Sequence, residues 1–152
     1  MSSLQKIRID IKASSRYPIR RKKIRQKIED VLEAVALGRS CEVEVNVVGD
    51  RAMRQLKMKH FKIDETTDVL SFPLHENLLK KESKFGSQNL AENKQSRPEF
   101  VDFADGYLRL GTIFISYPQA QRQANTHKLL IDEEIDQLVE HGMWHLLGVH
   151  HE

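Results

Sequence analysis

A single cysteine, Cys41, among 152 residues excludes an internal disulfide and is the pattern of a reducing compartment. No apolar run approaches the roughly 18 residues that a membrane-spanning helix requires. The opening stretch, through Ile7, Arg8, Ile9 and Asp10, also lacks the apolar core of a secretory signal. A cytoplasmic protein with no membrane partner is therefore expected. An excess of one charge is missing too: 24 basic against 22 acidic side chains leave a formal net charge of +2, too small to name a partner. The remaining balance, 39% hydrophobic and 30% charged, is that of a soluble globular chain long enough for one domain with a real core.

Periodicity divides the chain into elements. Ile7, Ile9 and Ile11 alternate with Arg8, Asp10 and Lys12, which predicts a half-buried strand over about residues 5–12. Ile24, Ile28, Val31, Leu32 and Val35 recur at helical spacing, so a helix is expected over about residues 19–37, stopping at Gly38. Cys41, Val43, Val45 and Val47 alternate with polar residues as a second strand. Gly49 then supplies a turn and Asp50 an N-cap for a short helix to about His60. Residues 67–72 read as a short third strand closed by Pro73; Asp68 and Ser71 interrupt its apolar pattern and either cap turns or line a cleft.

The polar, aperiodic stretch at about 75–105 reads as an insertion with a short helix around 77–84. Leu108 to Ser116 is nearly continuous apolar sequence, which suits a strand at the sheet centre covered on both faces. A helix follows from Tyr117, and a last one opens at Asp132, where Asp132, Glu133 and Glu134 complement the helix dipole. Its expected core stripe is Ile135, Leu138, Val139, Gly142 and Leu146, with His141 and His145 on a neighbouring face. The order β-α-β-α-β-β-α-α predicts a single-domain α+β fold: a small mixed four-stranded sheet packed with helices and a metal site on the C-terminal helix.

Charge is patterned even though its sum is small. Between Arg16 and Lys27 there are seven basic residues and no acidic one, while residues 132–140 are acidic. The basic block reads either as a phosphate-contacting surface or as a solvated helix face.

Histidine is concentrated at the far end. Four of the seven stand at His141, His145, His150 and His151. Positions i and i+4 of a helix share a face with Cβ atoms about 6 Å apart, so His141 and His145 can aim two imidazoles at one point. Gly148 follows at a helix-ending position, and a left-handed turn there can return His150 or His151 toward the pair. Three protein nitrogens with an open fourth position make a catalytic type of zinc site; the alternative is a set of surface histidines. The Glu that serves as base in H-E-x-x-H metallopeptidases is replaced by Gly142, which weakens a peptidase reading. A helical Gly costs about 1 kcal/mol relative to Ala, so close packing or room for substrate should compensate.

Two blocks in this order carry a resemblance. Thr67-Asp68-Val69-Leu70-Ser71-Phe72-Pro73 and His141-Gly142-x-x-His145-Leu146-x-Gly148-x-x-His151, with Leu110-Gly111-Thr112-Ile113 between them, are similar to motifs of the YbeY family of bacterial rRNA maturation factors. The resemblance implies a single-domain, zinc-dependent endoribonuclease that holds one Zn2+ through His141, His145 and His151. It implies RNA as substrate, as precursor rRNA at the 16S 3′ end, and the ribosomal small subunit as partner in rRNA maturation and ribosome quality control, with no nucleotide cofactor. The alternative is a ribosome-associated RNA-binding assembly factor whose metal is mainly structural.

On the enzyme reading, His141 and Asp68 are the catalytic candidates, with Asp68 as protein base. Thr67 and Ser71 line the substrate cleft, and Lys59, Lys62 and the basic block contact phosphates. Three positions depart from the family pattern: Thr112 and His150 stand where Asp is usual, and Phe61 where Arg is usual. Lys59 or Lys62 can stand in for that Arg only as a point charge.

Overall fold

β-Branched residues at alternate positions build the first two strands. In the computed structural model, which describes residues 6–75, 78 and 105–149, β1 (Ile7–Ala13) pairs in parallel with β2 (Cys41–Val48). Parallel neighbours need a crossover, and α1 (Arg21–Val35) supplies it by burying Ile24, Ile28, Val31 and Leu32 along one face. β2 buries Val43, Val45 and Val47 and leaves Glu42, Glu44 and Asn46 half-buried, so helices cover one side of the sheet and the other is polar. Cys41 lies in the buried row, and burial pushes its thiol up to about 11.

The remaining elements are α2 (Asp50–Phe61), β3 (Val69–Pro73), β4 (Leu108–Ser116), α3 (Tyr117–His127) and α4 (Ile131–Leu146). Sheet order is β1-β2-β4-β3, with β4 parallel to β2 and antiparallel to β3. This is the expected α+β fold around a mixed four-stranded sheet. Of the insertion, only its edges and the buried Leu78 fall among the described residues, so the short helix expected around 77–84 lies almost wholly outside them.

β4 is interior, as its apolar run predicts, and its two faces differ in burial. Leu108, Leu110, Ile113 and Ile115 are buried, whereas Arg109, Thr112 and Phe114 are half-buried on the polar side. There Arg109 joins Glu42 at 2.9 Å and Asp105 at 3.2 Å, and Arg8 reaches Asp105 at 2.7 Å. The hydrogen bond from Arg8, with those from Tyr107 and Arg109, holds the Asp105 carboxyl well below the usual range.

Much of the basic block is engaged within the fold. Arg20, Lys23 and Lys27 face Asp132, Asp136 and Glu140 of α4 at 3.7, 3.1 and 3.6 Å. Arg21 and Arg25 donate to the β1 carbonyls of Ile11 and Ile9. These five cations tie α1 to its neighbours, each exposed ion pair contributing about 0–1 kcal/mol. The acidic stretch 132–140 is the other half of the same ladder.

Two helix ends differ from expectation. Gly49, not Asp50, is the extended N-cap of α2, and Asp50 is its first helical residue, which frees the carboxylate for distant partners. α1 ends before Gly38: Ala36 takes the left-handed conformation, φ 47°, and its N–H donates to Leu32 O. A left-handed L-residue costs roughly 1–2 kcal/mol, partly offset in glycine by the entropy of its unfolded chain. Ala36→Gly is therefore expected to raise stability by about 0.5–1 kcal/mol in urea denaturation; a loss would show that Ala36 Cβ makes contacts worth more than the strain.

Candidate active site

α4 positions the histidines through its packed face. Ile135, Leu138, Val139, Gly142 and Leu146 are buried as predicted, and Met143 and Glu134 are buried with them. This rotation leaves His141 exposed and His145 half-buried, their ring centroids 4.5 Å apart and inclined at 53°. Gln137, Glu140, Trp144 and Val149 border His141 in a groove of about 540 Å³.

Gly142 is small because β4 is close. A Cβ there would stand 2.9 Å from Ile113 Cγ2, so the helix settles onto the sheet at the residue that follows His141. Ser71 Oγ donates to Gly142 O at 3.4 Å, which pins β3 to the same turn. The C-terminus closes in a Schellman arrangement: Gly148 N–H donates to His145 O at 3.0 Å and Val149 N–H to Trp144 O at 2.9 Å, with Gly148 at φ 93°. The left-handed turn expected at Gly148 is therefore present. His150 and His151 lie just beyond it, outside the described residues.

Two imidazoles converging at i and i+4, at the negative end of a helix dipole, fit a divalent cation. No cluster of three metal-binding side chains occurs among the described residues, which include two of the three expected ligands.

The second motif is held on its other flank. Asp68 Oδ1 accepts the Val69 N–H at 2.7 Å and the Thr67 hydroxyl at 3.4 Å, while Oδ2 accepts Gln123 Nε2 at 3.2 Å. Its carbonyl accepts Ser116 N–H at 2.9 Å. Thr67 and Asp68 thus sit against the β4–α3 junction, and Ser71 is the member of the motif brought to the histidine helix. Lys59 borders a groove along α2, and Lys62 is the exposed left-handed cap that ends this helix.

An anchoring network escaped the sequence. Asp50 accepts from Thr66 Oγ1 at 3.2 Å, Ser116 Oγ at 3.0 Å and Arg122 at 2.9 Å, joining α2, the segment before β3 and α3. Partial burial works to raise the Asp50 pKa, but the bonds from Arg122 and Ser116 outweigh it and hold the carboxyl below its usual value. The buried Glu134 likewise meets His127 Nδ1 at 2.9 Å, joining α3 to α4. The acidic residue at the start of a helix was the visible signal at Asp50; its partner 72 residues away in sequence was not.

A family model described as endoribonuclease YbeY matches residues 9–152. Proteins named endoribonuclease YbeY are similar to this chain. That of Aquifex aeolicus is 34% identical over 148 residues, covering 97% of this chain and 80% of the relative. One from Dehalococcoides mccartyi is 36% identical, covering 86% and 68%, and one from Thermus thermophilus 33% identical, covering 86% and 76%. The solution structure of a Thermotoga maritima protein superposes with a TM-score of 0.54 at 21% identity, covering 95% of this chain and 75% of that one, and bears on the fold alone. With its histidine helix, its β3 motif and nearly its whole length matched, the chain belongs to the endoribonuclease YbeY family.

Proposed function

We propose that the chain is a zinc-dependent endoribonuclease that hydrolyses phosphodiester bonds in precursor rRNA, at the 16S 3′ end, with the ribosomal small subunit as its partner in maturation and quality control. The observation that carries the metal-dependent reading is the His141–His145 pair, 4.5 Å between ring centroids on successive turns of α4. Family membership supports RNA as the substrate.

His141, His145 and His151 would hold the ion. When bound, zinc supplies Lewis-acid polarisation of a phosphoryl oxygen and a lowered pKa for water. The chain's own residues do the positioning. Trp144 walls the groove beside His141. Ser71 donates its hydroxyl to Gly142 O and so holds β3 against the turn that carries the histidines. Lys59 and Lys62 offer exposed ammonium groups to phosphates. Asp68, with both carboxylate oxygens accepting, acts in this scheme by ordering the start of β3.

That commitment of Asp68 favours a second reading, an RNA-binding assembly factor with a mainly structural metal. Chelation separates the two. Stripping zinc with a chelator is expected to abolish cleavage of a single-stranded rRNA fragment and stoichiometric zinc to restore it, while binding of the fragment persists. Cleavage that survives metal removal, measured beside residual zinc, sinks the zinc dependence; lost binding without any prior cleavage supports the second.

A further inference from the structure

Three of the exposed apolar side chains fall in one short stretch at the end of α2. Met58 and Phe61 are each 48% exposed and Ile63 43%, against a helix whose buried residue is Met53 alone. Phe61 is not isolated. Its ring lies 6.4 Å from that of Phe72 at an interplanar angle of 23°, and Phe72 meets Phe114 of β4 edge-on at 5.7 Å. His60 packs 4.7 Å from Phe72. An aromatic row therefore runs from the polar side of the sheet to solvent and ends on Phe61, with its inner members held by the strands.

Charge around this row is uneven. The nearby carboxylates are occupied: Asp50 by Arg122, Asp64 by Arg54 and Glu65 by Lys57. Arg51, Lys59 and Lys62 are exposed and form no ion pair among the described residues. Arg51 and Lys59 border a groove of about 710 Å³ along α2 that Met58 also lines. Exposed aromatics among free cations suit an anionic polymer with flat faces, whereas an apolar protein partner would leave three cations without counter-charge. The row lies across the edge strand from the candidate active site: Ser71 touches the histidine helix, the next side chain, Phe72, points to the opposite face, and β3 is the sheet's outer strand among the described residues.

We infer that Phe61, backed by Phe72, next to Lys62 at the helix cap and on a helix that also exposes Arg51 and Lys59, is a stacking site for an unpaired base of single-stranded RNA. The inference rests on the RNA-substrate reading above and deepens it by assigning a residue that contacts a base of the substrate. A ring held from behind loses little freedom when a base settles on its outer face, and stacking tolerates any base. A duplex hides its base faces and gains nothing from the site.

The test uses full-length zinc-loaded protein and a cleavage-resistant 2′-O-methyl oligonucleotide, single-stranded or annealed to its complement, with affinity read by fluorescence anisotropy. Phe61→Leu keeps an apolar side chain but removes the ring, and is expected to weaken single-strand binding about tenfold while leaving duplex binding unchanged. Phe61→Trp is expected to stay within about twofold of wild type or bind more tightly. Lys59→Gln should lower the salt dependence of binding without abolishing the difference between Phe61→Leu and Phe61→Trp. Equal single-strand affinity of Phe61→Leu, Phe61→Trp and wild type overturns the stacking site and leaves the RNA reading standing. Equal losses on single strand and duplex also overturn it. A wild type that binds neither RNA form overturns both readings.

Discussion

His145→Ala is expected to retain less than about a tenth of the wild-type zinc and to cleave RNA at least about 10²-fold more slowly, since loss of even an outer partner of a metal ligand costs roughly 10–100-fold. His141→Ala should behave alike, because the imidazoles stand on successive turns of α4, with ring centroids 4.5 Å apart. Both substitutions preserve α4: His141 is exposed, His145 is half-buried, and Ala is the best helix former. The metal-free variants should thus melt within a few degrees of metal-free wild type. Added zinc should raise the wild-type melting temperature and leave the variants unmoved, as ligand binding to the native state requires. Trp144 is the sole tryptophan and borders His141, so quenching by Cu2+ offers an independent titration with one assignable signal. Wild-type zinc content in either variant removes the pair from the metal site.

The parts of the fold legible in the sequence are those set by neighbours in the chain. Alternation in Cys41–Val48 and the i, i+4 spacing of Ile24, Ile28 and Leu32 report which face is buried, because side-chain period and backbone geometry are the same fact. The histidine pair, the buried stripe of α4 and the turn at Gly148 are legible for the same reason. Gly142 was visible as an anomaly, and its cause, Ile113 at 2.9 Å from the absent Cβ, required the sheet.

What stayed hidden depends on distant pairing. Nothing in the basic run of α1 says that α4 places Asp132, Asp136 and Glu140 opposite it. The apolar run of β4 cannot say whether Phe114 faces a helix or the edge of a polar sheet face. Asp50 resembled a local cap, yet its carboxylate ties together three elements from Thr66 to Arg122. Asp68, expected as a base from its place in the β3 motif, turns out to be engaged by Val69 and Gln123.

Gly111→Ala is expected to cost about 2–6 kcal/mol, summing a strained backbone of about 1–3 kcal/mol with an overpacking cost of similar size. Gly111 follows Leu110, the extra residue where the β2–β4 register shifts, and adopts φ 139°. A Cβ there would stand 2.3 Å from Phe72 O and 2.9 Å from Pro73 Cα, both backbone atoms of β3. Side-chain rotation cannot relieve such contacts, so β3 must move off β4. For a chain of this size the melting temperature should fall by about 10 °C, at roughly 2–4 °C per kcal/mol. Gly142→Ala is the informative contrast, because its Cβ meets only the Ile113 side chain and the gain in helix propensity of about 1 kcal/mol offsets part of the crowding. It should cost no more than about 2 kcal/mol. Displacing β3 also carries Ser71 away from Gly142 O while the histidines stay on α4. On the proposed function, Gly111→Ala should therefore retain zinc at temperatures where it is still folded and lose cleavage there, separating metal binding from the placement of β3. A stability loss under about 1 kcal/mol in urea denaturation would mean that the bulge rearranges freely, since genuine backbone overlap of this kind has no cheaper escape.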